Sequence, residues 1–202
     1  RAFRLPRFGF DPGSKFYAYR IDGVGARRLV STHPPNNFDQ AYFDAKAGHS
    51  YLIAATSPGE GKELWTTDGT PGGTALVTDI FPGAASSSPY ELFQIPGGRA
   101  VFSANDGLLG IELWVSDGTP GGTALVEDIN PGASGSWPGQ FALAGGVLYF
   151  RALNATSGTE LWRWTIGGVS QVADIEPGPG SGSPSGLYAV GSNIVFSGCT
   201  TA

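Results

Sequence analysis

The residue types that carry most protein chemistry are scarce in this chain. Of 202 residues, one is cysteine (Cys199), two are histidine (His33 and His49) and none is methionine. A lone thiol closes no internal disulfide. With no histidine or basic group near it in sequence, Cys199 reads as a small apolar residue at a strand end. Neither histidine is paired with a nucleophile, and the HExxH, GxSxG, GxxxxGK[ST], GxGxxG and CxxC patterns are all missing. No run approaches the roughly 20 apolar residues of a membrane-spanning helix, and no window has the period of a useful amphipathic helix. Charge is thin as well, at 14% of residues, where a soluble domain carries about 25%. No enzymatic activity and no transmembrane segment are therefore expected.

Turn formers and aromatics are plentiful. There are 32 glycines and 15 prolines, and aromatics make up 12% of the chain. That much glycine and proline without a core would mean disorder. Here Val/Leu/Ile/aromatic clusters sit between the turns, which predicts many short strands and an all-β fold. The net charge of −5 argues against nucleic acid as a partner, which calls for a basic face. The charge is unevenly spread: residues 1–28 carry seven basic and two acidic side chains. Arg1, Arg4, Arg7, Phe8 and Phe10 make a candidate docking arm, against the plainer reading of a solvated outer strand with snorkelling arginines.

Glu63 to Thr74 reads ELWTTDGTPGGT and Glu112 to Thr123 reads ELWVSDGTPGGT, with Trp65 and Trp114 49 residues apart. A weaker copy begins at Glu160-Leu161-Trp162, 48 residues after Trp114. A fixed period of this length signals a repeat architecture. Between turns such as Asp68-Gly69, Pro96-Gly97-Gly98 and Asp117-Gly118, each unit holds four short strands. Four strands per ~48 residues matches a propeller blade. Naming the ELW strand C, the order along the chain is C-D, then A-B-C-D three times, then A-B. The leading and trailing pairs are complementary, which predicts a four-bladed β-propeller whose closing blade joins the two ends and removes a free edge. The expected limits are an arm over 1–14, complete blades over 36–80, 88–129 and 136–175, and a closing blade from 15–32 plus 184–202. The competing expectation is part of a larger propeller.

Strand alternation puts Leu64 and Leu113 on one face of their strands and Trp65 and Trp114 on the other. Trp65, Trp114 and Trp162 are expected to fill space between blades; stacking on a sugar ring is the competing role and needs exposure. Asp68 and Asp117 look like hairpin-turn residues. Asp79, Asp128 and Asp174 open a repeated Asp-Ile-x-Pro-Gly, and are expected to accept hydrogen bonds from the following loop and hold the connection between blades. Calcium is the competing use of Asp68, Asp79, Asp117 and Asp128, although their spacing matches no defined calcium loop; no other cofactor is expected. Asn154-Ala155-Thr156 is a formal glycosylation sequon on an expected loop.

These words, each followed by LV-x-DI-x-PG, resemble the bacterial ELWxxDGT repeat found in tandem in secreted or cell-surface proteins. The resemblance is specific over 63–83 and 112–132, looser over 160–178 where the DGT turn is lost, and slight over 15–35. It implies a repeated β-fold and an extracellular or surface location, and supplies no activity or functional residues. Together with the absent catalytic sets, it leads to the expectation of a non-catalytic binding or adhesion module. Such a module would offer the loops Ser57 to Glu60, Asn105 to Gly110 and Asn154 to Gly158 to protein or glycan. A structural subunit docking through the basic-aromatic arm is the alternative.

Overall fold

The computed structural model describes the backbone of residues 18–22, 25–29 and 37–41, and backbone with side chains over 51–67 and 73–200. Within these limits the chain is all-β and antiparallel. Three sheets have four strands each, laid down in chain order. The first holds β3 (Asn37–Ala41), β4 (Tyr51–Ser57), β5 (Gly61–Thr67) and β6 (Ala75–Thr78). The second holds β7 (Tyr90–Ile95), β8 (Arg99–Asn105), β9 (Ile111–Ser116) and β10 (Ala124–Glu127). The third holds β11 (Gly139–Ala144), β12 (Val147–Asn154), β13 (Gly158–Thr165) and β14 (Gly168–Ala173). A hairpin stands on either side of these in the chain: β1 (Ala18–Asp22) with β2 (Gly25–Leu29), and β15 (Ser185–Val190) with β16 (Asn193–Ser197). Each hairpin is a two-stranded sheet by itself. The only helical turn among the described residues is a 3-10 turn at Pro120–Gly122, in the Pro-Gly-Gly of the repeat.

The register repeats faithfully. Ile53 faces Trp65, Phe102 faces Trp114 and Phe150 faces Trp162 across the second and third strands of their sheets. Strand alternation then gives each sheet two apolar faces, one for each neighbour. Leu52, Leu64, Val77 and Ile80 of the first sheet form one core with Leu92, Ala100, Phe102 and Ala104 of the second, and Trp114 packs against it. Ile95, Val101, Leu113 and Ile129 of the second sheet form the next core with Leu148, Phe150 and Ala152 of the third, with Trp162 and Trp164 against it. The alternation expected at Leu113 and Trp114 is thus resolved in space: the leucine looks toward the third sheet and the tryptophan toward the first. Phe93 and Phe141 meet across the second interface at 6.1 Å between ring centres. Burying Phe102 and Phe150 completely contributes about 1.5–3 kcal/mol each.

One glycine position explains how closely the pieces approach. Gly61, Gly110 and Gly158 each open the strand that carries the Glu-Leu-Trp, at φ of +69°, +76° and +68°. A Cβ on them would lie 2.0 Å from the Ala85 carbonyl oxygen, 2.6 Å from that of Ala133 and 1.6 Å from that of Gly180. The chain running from each sheet to the next lies directly on these glycines, where no side chain fits.

Candidate functional site

In each sheet the turn between the second and third strands lies at the same end as the chain passing to the next unit. The three loops singled out in the sequence, Ser57 to Glu60, Asn105 to Gly110 and Asn154 to Gly158, are therefore gathered at one end of the array. The turns containing Pro96-Gly97-Gly98, Gly145-Gly146 and Asp117-Gly118 lie at the other.

What fixes the loop-bearing end is the glutamate of Glu-Leu-Trp, for which the sequence offered no role. Glu63, Glu112 and Glu160 are fully buried. Glu63 accepts from the Ile80 amide at 3.0 Å and the Ser87 amide at 2.8 Å, and from the Ser87 hydroxyl. Glu112 accepts from the amides of Ile129 at 3.2 Å and Asn130 at 3.4 Å, and from the Ser136 hydroxyl. Glu160 accepts from the amides of Ile175 at 2.8 Å, Glu176 at 3.5 Å and Gly182 at 2.6 Å. Each carboxylate thus grips both ends of the connection leaving its own sheet. That connection in turn takes an amide from the following unit: Asn105 donates to the Ser87 carbonyl at 2.9 Å, Leu153 to Ser136 at 2.7 Å and Cys199 to Gly182 at 2.8 Å. Burial pushes Glu63 above its ordinary value and carries Glu112 up to about 7, against the pull of their hydrogen bonds; the neighbouring carboxylates Asp79 and Asp128 add to the rise.

A second set of joints runs through the first strands. Glu91, Gln140 and Gly186 occupy equivalent bulge positions at φ of 51°, 59° and 63°. The Glu91 carboxylate accepts from the Gln140 amide at 2.6 Å, and the Gln140 side-chain oxygen accepts from the Gly186 amide at 3.0 Å. Each unit caps the left-handed backbone of the next.

The aspartates have lesser parts. Asp79 accepts from the Gly83 amide at 2.9 Å and the exposed Asp174 from the Gly178 amide at 3.3 Å. Each thus shapes the loop after it, while the buried Glu63 and Glu160 hold the connection between sheets. One carboxylate oxygen of Asp79 and one of Asp128 is buried without a hydrogen-bond partner. Asp117 closes its own turn, accepting from the Thr119 amide at 2.8 Å and hydroxyl at 2.7 Å. It lies at the far end of the β9–β10 pair from Asp128, so the structure does not bring these two together. Among the described residues no three of His, Cys, Asp and Glu cluster closely enough to hold a metal ion. Asp68 and the arm residues Arg1, Arg4, Arg7, Phe8 and Phe10 lie outside the described residues. Trp162 donates its indole N–H to the Ala152 carbonyl at 3.1 Å, whereas those of Trp65 and Trp114 are buried without a partner. The sequon's Asn154 has its amide nitrogen tied to the Ile129 carbonyl at 2.7 Å.

Sequence reasoning passed over Trp137. It stands 54% exposed at the loop-bearing end, in the place where the neighbouring units have Ser88 and Ser183, each followed by a proline. All three share a left-handed backbone, φ 49°, 52° and 46° for Ser88, Trp137 and Ser183. The Trp137 amide donates to the Ile111 carbonyl at 3.0 Å, its indole N–H donates to the Ser134 carbonyl at 2.9 Å, and buried Pro138 follows. Aligning the three Pro-Gly connections exposes the exception: a tryptophan where the repeat uses serine. Leu108, 77% exposed in the adjoining turn of the second sheet, is a second large exposed apolar side chain at this end.

No helix among the described residues is long and apolar enough to cross a membrane. Comparisons with models of known protein families, with curated proteins and with solved structures find no match to this chain.

Proposed function

We propose that this chain is a non-catalytic binding module, built as a four-bladed β-propeller, that presents its loop-bearing end to a protein or glycan outside the cell. Trp137 carries the proposal. A large aromatic face in water, tied by its indole N–H to the Ser134 carbonyl on a backbone set by the amide bond to Ile111, has given up part of its conformational entropy before any ligand arrives, which favours binding by an exposed ring. Folding alone gives no reason for the ring to be there, since serine serves the same place in the units on either side.

What supports a non-catalytic reading is the use of the repeated carboxylates: Glu63, Glu112 and Glu160 direct their oxygens to backbone amides, and Glu63 and Glu112 also to serine hydroxyls. Asp117 is likewise committed to its own turn. The extracellular location rests on the resemblance to the ELWxxDGT repeat. In the fourfold reading, the three complete sheets are three blades, and β1–β2 with β15–β16 share the fourth.

The test is a glycan array and a pull-down from extracellular matrix and cell-surface extracts, each run with the wild type and with Trp137→Ala. Binding that the substitution abolishes, at unchanged melting temperature, is the expected result. No binding by the wild type in either format refutes the proposal, as does binding indifferent to the substitution.

A further inference from the structure

The end of the array that holds Trp137 carries charge of one sign. Its turns and connections, residues 58–60, 79–89, 106–110, 128–138, 155–157 and 174–184, contain Glu60, Asp79, Asp106, Asp128, Asp174 and Glu176 and no lysine, arginine or histidine. The cations with described side chains all sit in strands: Lys62 in β5, Arg99 in β8, Arg151 in β12 and Arg163 in β13. Several of the carboxylates are fixed by the backbone beside them. Asp106 accepts from the Leu108 and Leu109 amides, each at 2.8 Å, and Asp79 and Asp174 hold the loops that follow them. The negative field at this end is thus built into short, tethered side chains.

These turns surround apolar surface. The turn 106–110 packs against the loop that bears Trp137: a Cβ on Gly110 would lie 2.5 Å from the Gly135 nitrogen, and the Ile111 carbonyl accepts from the Trp137 amide at 3.0 Å. Asp106 and the exposed Leu108 belong to that turn, and Asp128 opens the connection that carries the tryptophan. A neutral sugar stacked on the ring takes its orientation from polar groups aimed at its hydroxyls, but the amide side chains here are turned into the fold. The oxygens of Asn105, Asn130 and Asn154 accept from the amides of Gly107 at 2.7 Å, Ala155 at 2.9 Å and Thr156 at 3.0 Å. The side-chain nitrogens of Asn130 and Asn154 donate to the carbonyls of Gly135 at 2.9 Å and Ile129 at 2.7 Å. An anionic glycan meets like charge.

We propose that the loop-bearing end binds a polypeptide segment rich in lysine or arginine, with one cationic head over the face of Trp137, its aliphatic stem along Leu108, and Asp106 in the adjoining turn as a counter-charge. This rests on the binding-module reading above and narrows its partner to a basic protein. A cation over an indole is attracted by the ring quadrupole, more strongly than over phenylalanine or tyrosine. Lysine and arginine stems lie readily on apolar surface while their heads stay with opposite charge. The surrounding carboxylates concentrate such a segment near the ring, speed its arrival and turn away acidic competitors.

Titrating a labelled, capped oligo-arginine peptide with the full chain, read by fluorescence anisotropy, tests this. Saturable binding that weakens with added salt is expected, and a capped oligo-glutamate peptide is expected not to bind. Trp137→Ala is expected to weaken binding about three- to thirty-fold, and Trp137→Phe, which keeps a ring face, to weaken it less. Asp106→Asn keeps an oxygen for the Leu108 and Leu109 amides and is expected to weaken binding about two- to five-fold. Binding that Trp137→Ala leaves unchanged overturns the proposal, because acidity alone then accounts for it. If oligo-arginine does not bind while the array yields a glycan held through Trp137, the proposal falls and the binding module stands. If no probe binds, both fall. Should Trp137→Ala change the circular dichroism, Asp106→Asn decides: unchanged affinity in that variant overturns the proposal.

Discussion

Replacing Glu112 by glutamine isolates the electrostatic part of one clamp. Burial raises this carboxyl from an ordinary 4.5 to about 7. A raised carboxyl binds protons more tightly in the folded than in the unfolded chain. Its contribution to stability is therefore full below about pH 4.5 and is lost as pH rises through about 7. At 1.36 kcal/mol per pH unit, the shift corresponds to about 3 kcal/mol over that window. Proton uptake is sterically simple, because the Ser136 hydroxyl that donates to the carboxylate can turn and accept from the carboxylic acid. Glu112→Gln keeps an oxygen for the Ile129 amide and the Ser136 hydroxyl and removes the titration. The assay is urea denaturation of both proteins at intervals between about pH 5 and about pH 7.5, with the stability difference plotted against pH. The wild type is expected to lose about 2.5 kcal/mol relative to the variant between about pH 5 and about pH 7.5. Glu63, raised for the same reasons, acts in the same direction in both proteins and drops out of the difference. A flat difference, or one with the opposite slope, refutes the assignment of Glu112 as a protonatable clamp.

Other substitutions probe the packing. Gly158→Ala places a methyl group 1.6 Å from the Gly180 carbonyl oxygen at a φ of +68°; a loss of more than about 2 kcal/mol is expected by urea denaturation. Phe150→Ala empties the centre of the second interface and is expected to cost about 3–5 kcal/mol. By contrast, Trp137→Ala removes an exposed ring and is expected to change stability by less than about 1 kcal/mol, measured by the same method. A large destabilisation there would make the ring a structural element and remove the argument for a binding role.

The architecture was legible because its signals are local. Glycine and proline punctuate strands whose alternation survives in every unit, and the period of Trp65, Trp114 and Trp162 counted the sheets. The clamp was not legible, because Glu63 and Ser87 are 24 residues apart and a charged residue beside Leu-Trp reads as a surface position until the connection is seen folding back over it. The aspartates attracted attention in its place, since the Asp-Ile-x-Pro-Gly word is conspicuous and Asp117 does occupy a turn. Trp137 was missed for a related reason: attention to what the units share hides the place where they differ.

The joints between sheets have a mechanical consequence. Phe102, Glu63 and Ser87 bind one neighbouring pair, and Phe150, Glu112 and Ser136 bind the next, with no side chain shared between the two. Under tension from its ends, such a chain yields one link at a time once its first seam opens. A whole unit spliced in or cut out leaves every remaining seam chemically intact, so growth by duplication asks nothing new of the existing hydrophobic surfaces.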